Sequence, residues 1–144
     1  MAHDLAGKMP IIITGEFLAG NAHALRNQFN ENAKNFAAYL TLPELNHYAM
    51  EGLAKPAGVN NLIFLFFDSA LYSPRVQTRN KLTKQVIVKN KIASASYNLK
   101  GKTKLDQSLE MLALGSWTTY YLAEINNVDP AAIPWVDWFK KELK

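Results

Sequence analysis

Two short segments near the start of the chain contain residue types that could carry out acid and base chemistry. The first is Asn30-Glu31-Asn32-Ala33-Lys34, and the second, which begins thirteen residues further on, is Pro43-Glu44-Leu45-Asn46-His47. Together they supply a carboxylate, an ammonium group and an imidazole in a chain with only three histidines. Carboxylates and imidazoles can both take up and return protons. If the fold brings them to one pocket, they could move protons on a bound substrate.

The spacing of these residues also allows an ordinary structural interpretation. Glu31 and Lys34, three residues apart, could form a weak ion pair on the surface of a helix. His47, after a Pro-Glu loop, could be a polar residue without a catalytic role. Spacing alone does not decide between the two interpretations.

The element that must position Glu31 is a helix with one apolar face. Apolar residues recur at steps of three and four, which is typical of a helix packed on a core; they are Leu18, Ala22, Leu25, Phe29, Ala33, Phe36 and Leu40. The pattern predicts a helix from about 17 to 39. Glu31 lies about 200° around this helix from Phe29, and Lys34 shares its face. Both side chains are therefore predicted to be exposed.

The rest of the chain alternates short apolar runs with helical patterns. Strands are predicted at 10–14, 61–67 and 92–99, and helices at 44–52, 74–90, 105–125 and from 130 to the end. The uninterrupted apolar run at 61–67 suits a central strand that is covered on both faces. The alternation predicts an α/β domain with a parallel sheet and helices on both faces. Ligands of such sheets bind beyond the carboxyl ends of the strands.

The predicted helix at 105–125 is apolar nearly all round. This pattern indicates a helix that is buried on several sides, either within the domain or against a partner. The following Asp129-Pro130 pair suits the N-cap and first residue of the last helix.

Composition limits the class of protein. A chain of 144 residues fits one domain. It has no cysteine, which excludes disulfides and a thiol nucleophile and is compatible with a reducing compartment. The first apolar run is too short for a signal sequence, and the longest, Leu62 to Phe67, is far short of the roughly 20 residues that cross a bilayer. We therefore expect a soluble, cytoplasmic protein with no membrane partner.

The net charge is +4, and the excess is concentrated between residues 75 and 104, which hold nine Lys or Arg and no acid. A solvated surface explains this stretch, and attraction of an anionic sugar or a nucleic acid is the alternative. The stretch has no interleaved aromatic residues except Tyr97, and the chain contains no motif for binding DNA or RNA. We therefore expect no nucleic-acid partner.

The two opening segments resemble the second sugar isomerase (SIS) domain of the bacterial and archaeal bifunctional phosphoglucose/phosphomannose isomerases. Three further stretches fit the same family in the same order: Phe67-Asp68, Leu114 to Ala123, and Val128-Asp129-Pro130 leading into Phe139 to Leu143. The resemblance spans nearly the whole chain. It implies a single SIS domain over residues 1–144, with a Rossmann-like three-layer αβα fold around a parallel sheet.

The resemblance also implies an activity. Family members interconvert fructose 6-phosphate with glucose 6-phosphate and mannose 6-phosphate through a cis-enediol, without metal or organic cofactor. By position, Glu31 matches the base that moves a proton between C1 and C2. His47 matches the histidine that helps to open the sugar ring, and Lys140 matches the lysine that assists it.

In the resembling enzymes the active site lies between two SIS domains and across a homodimer. The neighbouring subunit usually supplies the histidine, and the first SIS domain holds the phosphate. The resemblance thus implies pairing with a first SIS domain and weak or no activity for this chain alone. The chain departs from the family pattern at Ala24-Leu25-Arg26, Tyr48-Ala49 and Gly115 to Thr119, which bears on substrate preference and inter-domain contacts. A non-catalytic SIS module that binds a sugar phosphate and regulates a partner is the alternative function.

Overall fold

The computed structural model of the protein describes residues 1–54 and 59–143, apart from the side chain of Val59. The strands are β1 (Met9–Gly15), β2 (Ala38–Leu42), β3 (Leu62–Asp68) and β4 (Ala93–Asn98). The α-helices are α1 (Ala2–Leu5), α2 (Ala19–Glu31), α3 (Leu45–Gly52), α4 (Pro74–Lys89), α5 (Lys104–Ile125) and α6 (Pro134–Glu142). Two 3-10 turns, Glu16–Leu18 and Val59–Asn61, precede α2 and β3.

The four strands form one parallel sheet in the order β2-β1-β3-β4. In the two central strands, Ile12, Ile13, Leu65 and Phe66 are almost completely buried. Uninterrupted apolar runs form these strands because helices cover both faces of the sheet. Helices α1, α2 and α5 pack together, and α3 packs with α4. The predicted α/β fold with a parallel sheet is confirmed.

The contact between α2 and α5 is unusually close at Gly115. A Cβ atom at this position would lie 2.6 Å from Cδ1 of Leu25. Hydrogen bonds flank the contact: Asn21 Nδ2 donates to the carbonyl of Ser108, and Gln28 Nε2 donates to Ser116 Oγ, both at 2.9 Å. This contact holds α2, the helix that carries Glu31, against α5.

The prediction of a helix from 17 to 39 is wrong in its second half. Helix α2 ends at Glu31, Lys34 adopts a φ of +51°, and residues 38–42 form β2. Phe36, expected on the buried stripe, is 68% exposed. In β2 these residues pair with β1 over five positions and form backbone hydrogen bonds with it. They could not form these bonds if they continued the helix.

The last helix starts later than predicted. Oδ1 of Asp129 accepts a hydrogen bond from the Ala131 amide at 2.8 Å, which closes a turn and not a helix. Helix α6 begins at Pro134, which suits the first helical position because its missing N–H is not needed there. Lys144, the last residue of the predicted helix, lies outside the described residues.

The predicted bounds of α5 agree with the structure, but its burial does not. Thr103 and Asp106 form a capping box at its start. Its inner face packs on the domain through residues such as Met111 and Leu122, whereas Trp117 and Tyr121 are more than half exposed. Burial on several sides within the domain is therefore wrong, and the alternative of a partner stays open.

Candidate active site

Glu31 lies in a groove between the end of α2 and the start of α6. The groove has a volume of about 490 Å³. Its polar residues are Asn30, Glu31, Lys34 and Asp129, and its opposite wall is mainly apolar, formed by Val128 and by residues 132–136. The groove therefore offers one carboxylate from a helix end and one from a loop, facing a mainly apolar wall.

Local hydrogen bonds explain why α2 stops at Glu31. The amides of Asn32 and Ala33 both donate to the carbonyl of Gln28, which closes the last turn. Nδ2 of Asn126, just after α5, donates to the carbonyl of Ala33 at 3.0 Å, and Nδ2 of Asn35 donates to the carbonyl of Lys8. These bonds hold the segment after α2 against the rest of the domain and so fix the position of Glu31.

Glu31 and Lys34 do not form the ion pair that their spacing allows. Lys34 Nζ donates to the main-chain carbonyl of Glu31 and not to its carboxylate. A cation at this position interacts favourably with the negative end of the helix dipole. Within residues 1–54 and 59–143 the Glu31 carboxylate has no hydrogen-bond or ion-pair partner, so it is available to a ligand.

His47 lies at the end of the strands opposite to Glu31. It is an exposed residue in the first turn of α3, which follows the carboxyl end of β2. Glu31 ends the helix that returns the chain to the amino ends of the strands. The length of a strand, about 20 Å, therefore separates Glu31 from His47. The structure does not bring Glu31 and His47 together within one chain.

Lys140 lies on α6, the helix whose first turn lines the groove of Glu31. It is exposed and six residues beyond Pro134, which corresponds to about 9 Å along the helix axis. Of the three catalytic residues predicted from the sequence, Glu31 and Lys140 therefore lie on adjoining elements. Sequence reasoning missed Asn30 and Asp129 as polar lining of the groove, because their participation depends on how the loop before α6 returns to α2.

A second cavity, of about 370 Å³, lies at the carboxyl ends of β3 and β4. Asp68 accepts hydrogen bonds from Asn80 and Lys84, and Lys84 also forms an ion pair with it. Ser69 donates to Gln107. These side chains pair with one another, and Gln77, Lys81 and Asn98 complete the polar lining of the cavity.

Protein side chains fill the space between the carboxyl ends of β1 and β3, where the chain segments that follow the two strands diverge. The Tyr72 hydroxyl accepts a hydrogen bond from the Gly15 amide at 3.1 Å and donates to the Phe67 carbonyl at 3.2 Å. Burial raises the pKa of the Tyr72 hydroxyl far above its ordinary value, so it stays protonated. The Glu16 carboxylate accepts from the Ser73 amide at the start of α4. The usual ligand position of such a sheet is thus closed.

No three His, Asp or Glu side chains of the described residues cluster closely enough to hold a metal ion. Among the same residues, no helix combines the length and the apolar character that crossing a bilayer requires.

This chain is similar to one domain of known phosphoglucose isomerases. Residues 1–143 match the family model of the bacterial phospho-glucose isomerase C-terminal SIS domain. The bifunctional phosphoglucose/phosphomannose isomerase of Aquifex aeolicus is 27% identical over 144 residues, which are all of this chain and 45% of the relative. The enzyme of the same name from Pyrobaculum aerophilum is 31% identical over 141 residues, 95% of this chain and 41% of the relative.

Solved structures agree on the fold. A glucose-6-phosphate isomerase like protein from Thermus thermophilus has a TM-score of 0.72 at 19% identity, over 93% of this chain and 45% of that chain. A hypothetical protein from the same organism has a TM-score of 0.81 at 11% identity, over 98% and 42%. The chain spans less than half the length of these proteins and of the curated relatives, and it matches the C-terminal portion of those relatives. The chain belongs to the family of bacterial phosphoglucose isomerase C-terminal SIS domains.

Proposed function

We propose that this domain is the C-terminal half of an aldose–ketose isomerase that interconverts fructose 6-phosphate with glucose 6-phosphate and mannose 6-phosphate. The observation that carries the proposal is the match of residues 1–143 to the family, together with the free carboxylate that Glu31 presents in a groove. The relatives' names supply the substrates. The free carboxylate of Glu31 is the group that could act as the base.

In the proposed reaction Glu31 acts as the base. It takes the proton from C2 of the open-chain aldose and returns it to C1, while a second proton passes from O2 to O1 through the cis-enediol. The lack of a protein partner for the carboxylate is an advantage, because each transfer needs a free oxygen within hydrogen-bond reach of the carbon-bound proton.

His47 and Lys140 have the earlier task of opening the sugar ring. His47 donates a proton to the ring oxygen as its bond to the anomeric carbon breaks, and Lys140 assists. As in the resembling enzymes, we propose that a neighbouring subunit of a homodimer supplies the histidine to each site. The strand length of about 20 Å between His47 and Glu31 supports this proposal. Lys140 comes from the same chain as Glu31.

The proposed site is incomplete in this chain. We propose that a first SIS domain binds the phosphate group and that the reaction needs neither metal nor organic cofactor. The hydrogen bonds of Tyr72 and Glu16 support this division, because they occupy the space between the carboxyl ends of β1 and β3. The isolated chain is expected to be nearly inactive.

A coupled isomerase assay tests the proposal. The chain is measured alone, mixed with the first half of the Aquifex aeolicus relative, and fused to it. Activity is expected only in the mixed or fused protein. Glu31→Gln should lower it by about 10² to 10⁴, the usual cost of losing a general base. Glu51→Gln, which alters another exposed glutamate near a helix end, is the matched control and should have no effect.

Restored activity that survives Glu31→Gln would exclude Glu31 as the base. Stabilisation by fructose 6-phosphate without turnover in any combination would favour the regulatory module instead. Loss of activity in His47→Asn, but not in the exposed control His23→Asn, would support the ring-opening role of His47.

A further inference from the structure

The cavity of about 370 Å³ at the carboxyl ends of β3 and β4 has no role in the proposed isomerase reaction. Glu31 lies near the amino ends of the strands, so the length of a strand, about 20 Å, separates it from this cavity. Small-molecule sites have volumes of about 300–1,000 Å³. The cavity is therefore large enough for one small ligand, at a place distinct from the groove of Glu31.

Helix α4 lines the cavity with a polar stripe. Its members follow one another at steps of three and four, the spacing that apolar residues have on a helix packed against a core; they are Gln77, Asn80, Lys81 and Lys84. Asn80 is only 7% exposed. Polar residues at such positions cost stability unless they are paired or serve a function. The stripe therefore suits contact with a polar ligand.

Only part of the polar lining is paired within the protein. Asp68 accepts hydrogen bonds from Asn80 and Lys84. Among residues 1–54 and 59–143, neither the ammonium group of Lys81 nor the side-chain amide of Asn98 has a hydrogen-bond or ion-pair partner. Asn98 is the register partner of Asp68, so the two side chains lie on the same face of the sheet. The cavity thus offers a free cation and a free amide beside a carboxylate.

The loop after β3, which forms one side of the cavity, is fixed by hydrogen bonds within the protein. Gln77 Nε2 donates to the main-chain carbonyl of Tyr72 at 2.8 Å. Ser69 Oγ donates to Gln107 Oε1 and accepts from the Leu71 amide at 2.9 Å. A site whose walls are already ordered loses less conformational entropy when a ligand binds. This side of the cavity is therefore preformed.

We propose that this cavity is a second ligand site, separate from the isomerase site, and that it binds a small sugar phosphate. Lys81 and Lys84 bind the phosphate group. They lie three residues apart on one helix, so their like charges repel, and a phosphate between them removes that repulsion. Asp68 accepts hydrogen bonds from sugar hydroxyl groups with its remaining lone pairs, and the Asn98 amide can both donate and accept.

Charge and shape favour this class of ligand. One carboxylate and two ammonium groups line the cavity, so its net charge is positive. Residues 75–104, which include all of α4 after Pro74 and all of β4, hold nine Lys or Arg and no acid and so attract anions toward it. A nucleotide fits less well, because the aromatic ring among the described lining residues, that of Tyr72, is 3% exposed and cannot stack on a base.

Titration of the 16.2 kDa chain with fructose 6-phosphate, followed by nuclear magnetic resonance, tests the proposal. We expect backbone amide signals of residues 68–72, 77–84 and 97–99 to move, and those around Glu31 to stay. Inorganic phosphate should act on the same residues with an affinity about tenfold lower or less, because it lacks the hydroxyl groups. Fructose without phosphate should not bind measurably.

Three variants locate the ligand, with circular dichroism to verify folding. Lys81→Gln should raise the dissociation constant about tenfold or more, as loss of a charged hydrogen-bond donor does. Asn98→Ala should raise it about threefold or more, because it removes one neutral donor and acceptor. The matched control is Lys89→Gln, the same change at an exposed position of α4 that does not line this cavity and lies about 12 Å further along the helix. It should change the dissociation constant by less than about twofold.

Several results would overturn the proposal. They are equal binding by Lys81→Gln and the unaltered chain, equal affinity for inorganic phosphate and fructose 6-phosphate, and signal changes around Glu31 that Glu31→Gln abolishes. Hydrogen exchange of the chain fused to the first half of the Aquifex aeolicus relative supplies a further test. There fructose 6-phosphate should slow exchange in residues 68–84, and Lys81→Gln should remove this effect. No slowing in these residues would mean that the cavity is covered in the longer protein, and would overturn the proposal as well.

The second site does not rest on the proposed isomerase function. Its test measures binding and not turnover, and its variants leave Glu31, His47 and Lys140 unchanged. Failure of one proposal is therefore distinguishable from failure of the other.

Discussion

Replacing Gly115 by alanine should destabilise this protein, although alanine is the better helix former. In an open helix the change gains about 0.5–1 kcal/mol, because glycine loses more backbone entropy on folding. At Gly115 the new Cβ would lie 2.6 Å from Cδ1 of Leu25 and 3.0 Å from Oε1 of Gln28. The helix gain therefore competes with a steric clash in the contact between α2 and α5.

The structure indicates which effect is larger. Carbon atoms in ordinary contact are about 3.5–4.0 Å apart, so the Leu25 methyl group must move by about 1 Å. Leu25 is 2% exposed, and its neighbours leave little room. Overpacking of this kind costs about 1–3 kcal/mol. After the helix gain is subtracted, we expect a net loss of about 1 kcal/mol.

Urea unfolding followed by circular dichroism measures this difference as a lower midpoint at an unchanged slope. Gly20→Ala is the matched control, because Gly20 is also in a helix and a Cβ atom there would meet no other atom within 4 Å. It should stabilise the protein by about 0.5 kcal/mol. If Gly115→Ala raised the midpoint as Gly20→Ala does, the close approach of α2 and α5 would be refuted. Adding Leu25→Val should relieve the clash, so the double variant should lose less than the sum of the single losses.

Three further outcomes follow from the structure. Phe29→Ala should cost about 3–5 kcal/mol, because this side chain is fully buried, whereas Phe36→Ala, 68% exposed, should change the unfolding free energy by less than about 0.5 kcal/mol in the same urea assay. Desolvation tends to raise the pKa of the Glu110 carboxyl, but hydrogen bonds from two main-chain amides and from Tyr97 outweigh it and lower that pKa. Glu110→Gln should therefore reduce stability at neutral pH, and the difference should disappear as the pH falls through the lowered pKa. Thr103→Ala removes the capping box of α5 and should lower the unfolding free energy by about 0.5–2 kcal/mol, measured by thermal or urea unfolding.

Much of the fold was predictable because its signals are local. The runs Ile11-Ile12-Ile13 and Leu62 to Phe67 are short and continuously apolar, as the buried strands of a parallel sheet are. The bounds predicted for α4 and α5 agree with the structure to within about a residue, because Pro74 suits the first turn of a helix and the apolar pattern of α5 begins at Leu105. Strand β2 was missed since its residues continue the helical spacing of α2. Only pairing with β1, which depends on the chain folding back across the sheet, gives these residues an extended conformation.

Three features could be predicted from the amino-acid sequence alone: the family, the presence of a carboxylate and an imidazole in motifs with a fixed offset, and the layered α/β architecture. These depend on residue identity and local periodicity, which the chain carries at every stage of folding. Other features depend on folding. Glu31 ends a helix in a mainly apolar groove, Lys34 caps that helix instead of pairing with the carboxylate, and His47 lies at the opposite end of the strands. The reason is geometric: α2 returns the chain to the amino ends of the strands, and β2 then carries it to their carboxyl ends, so two motifs close in sequence lie about 20 Å apart.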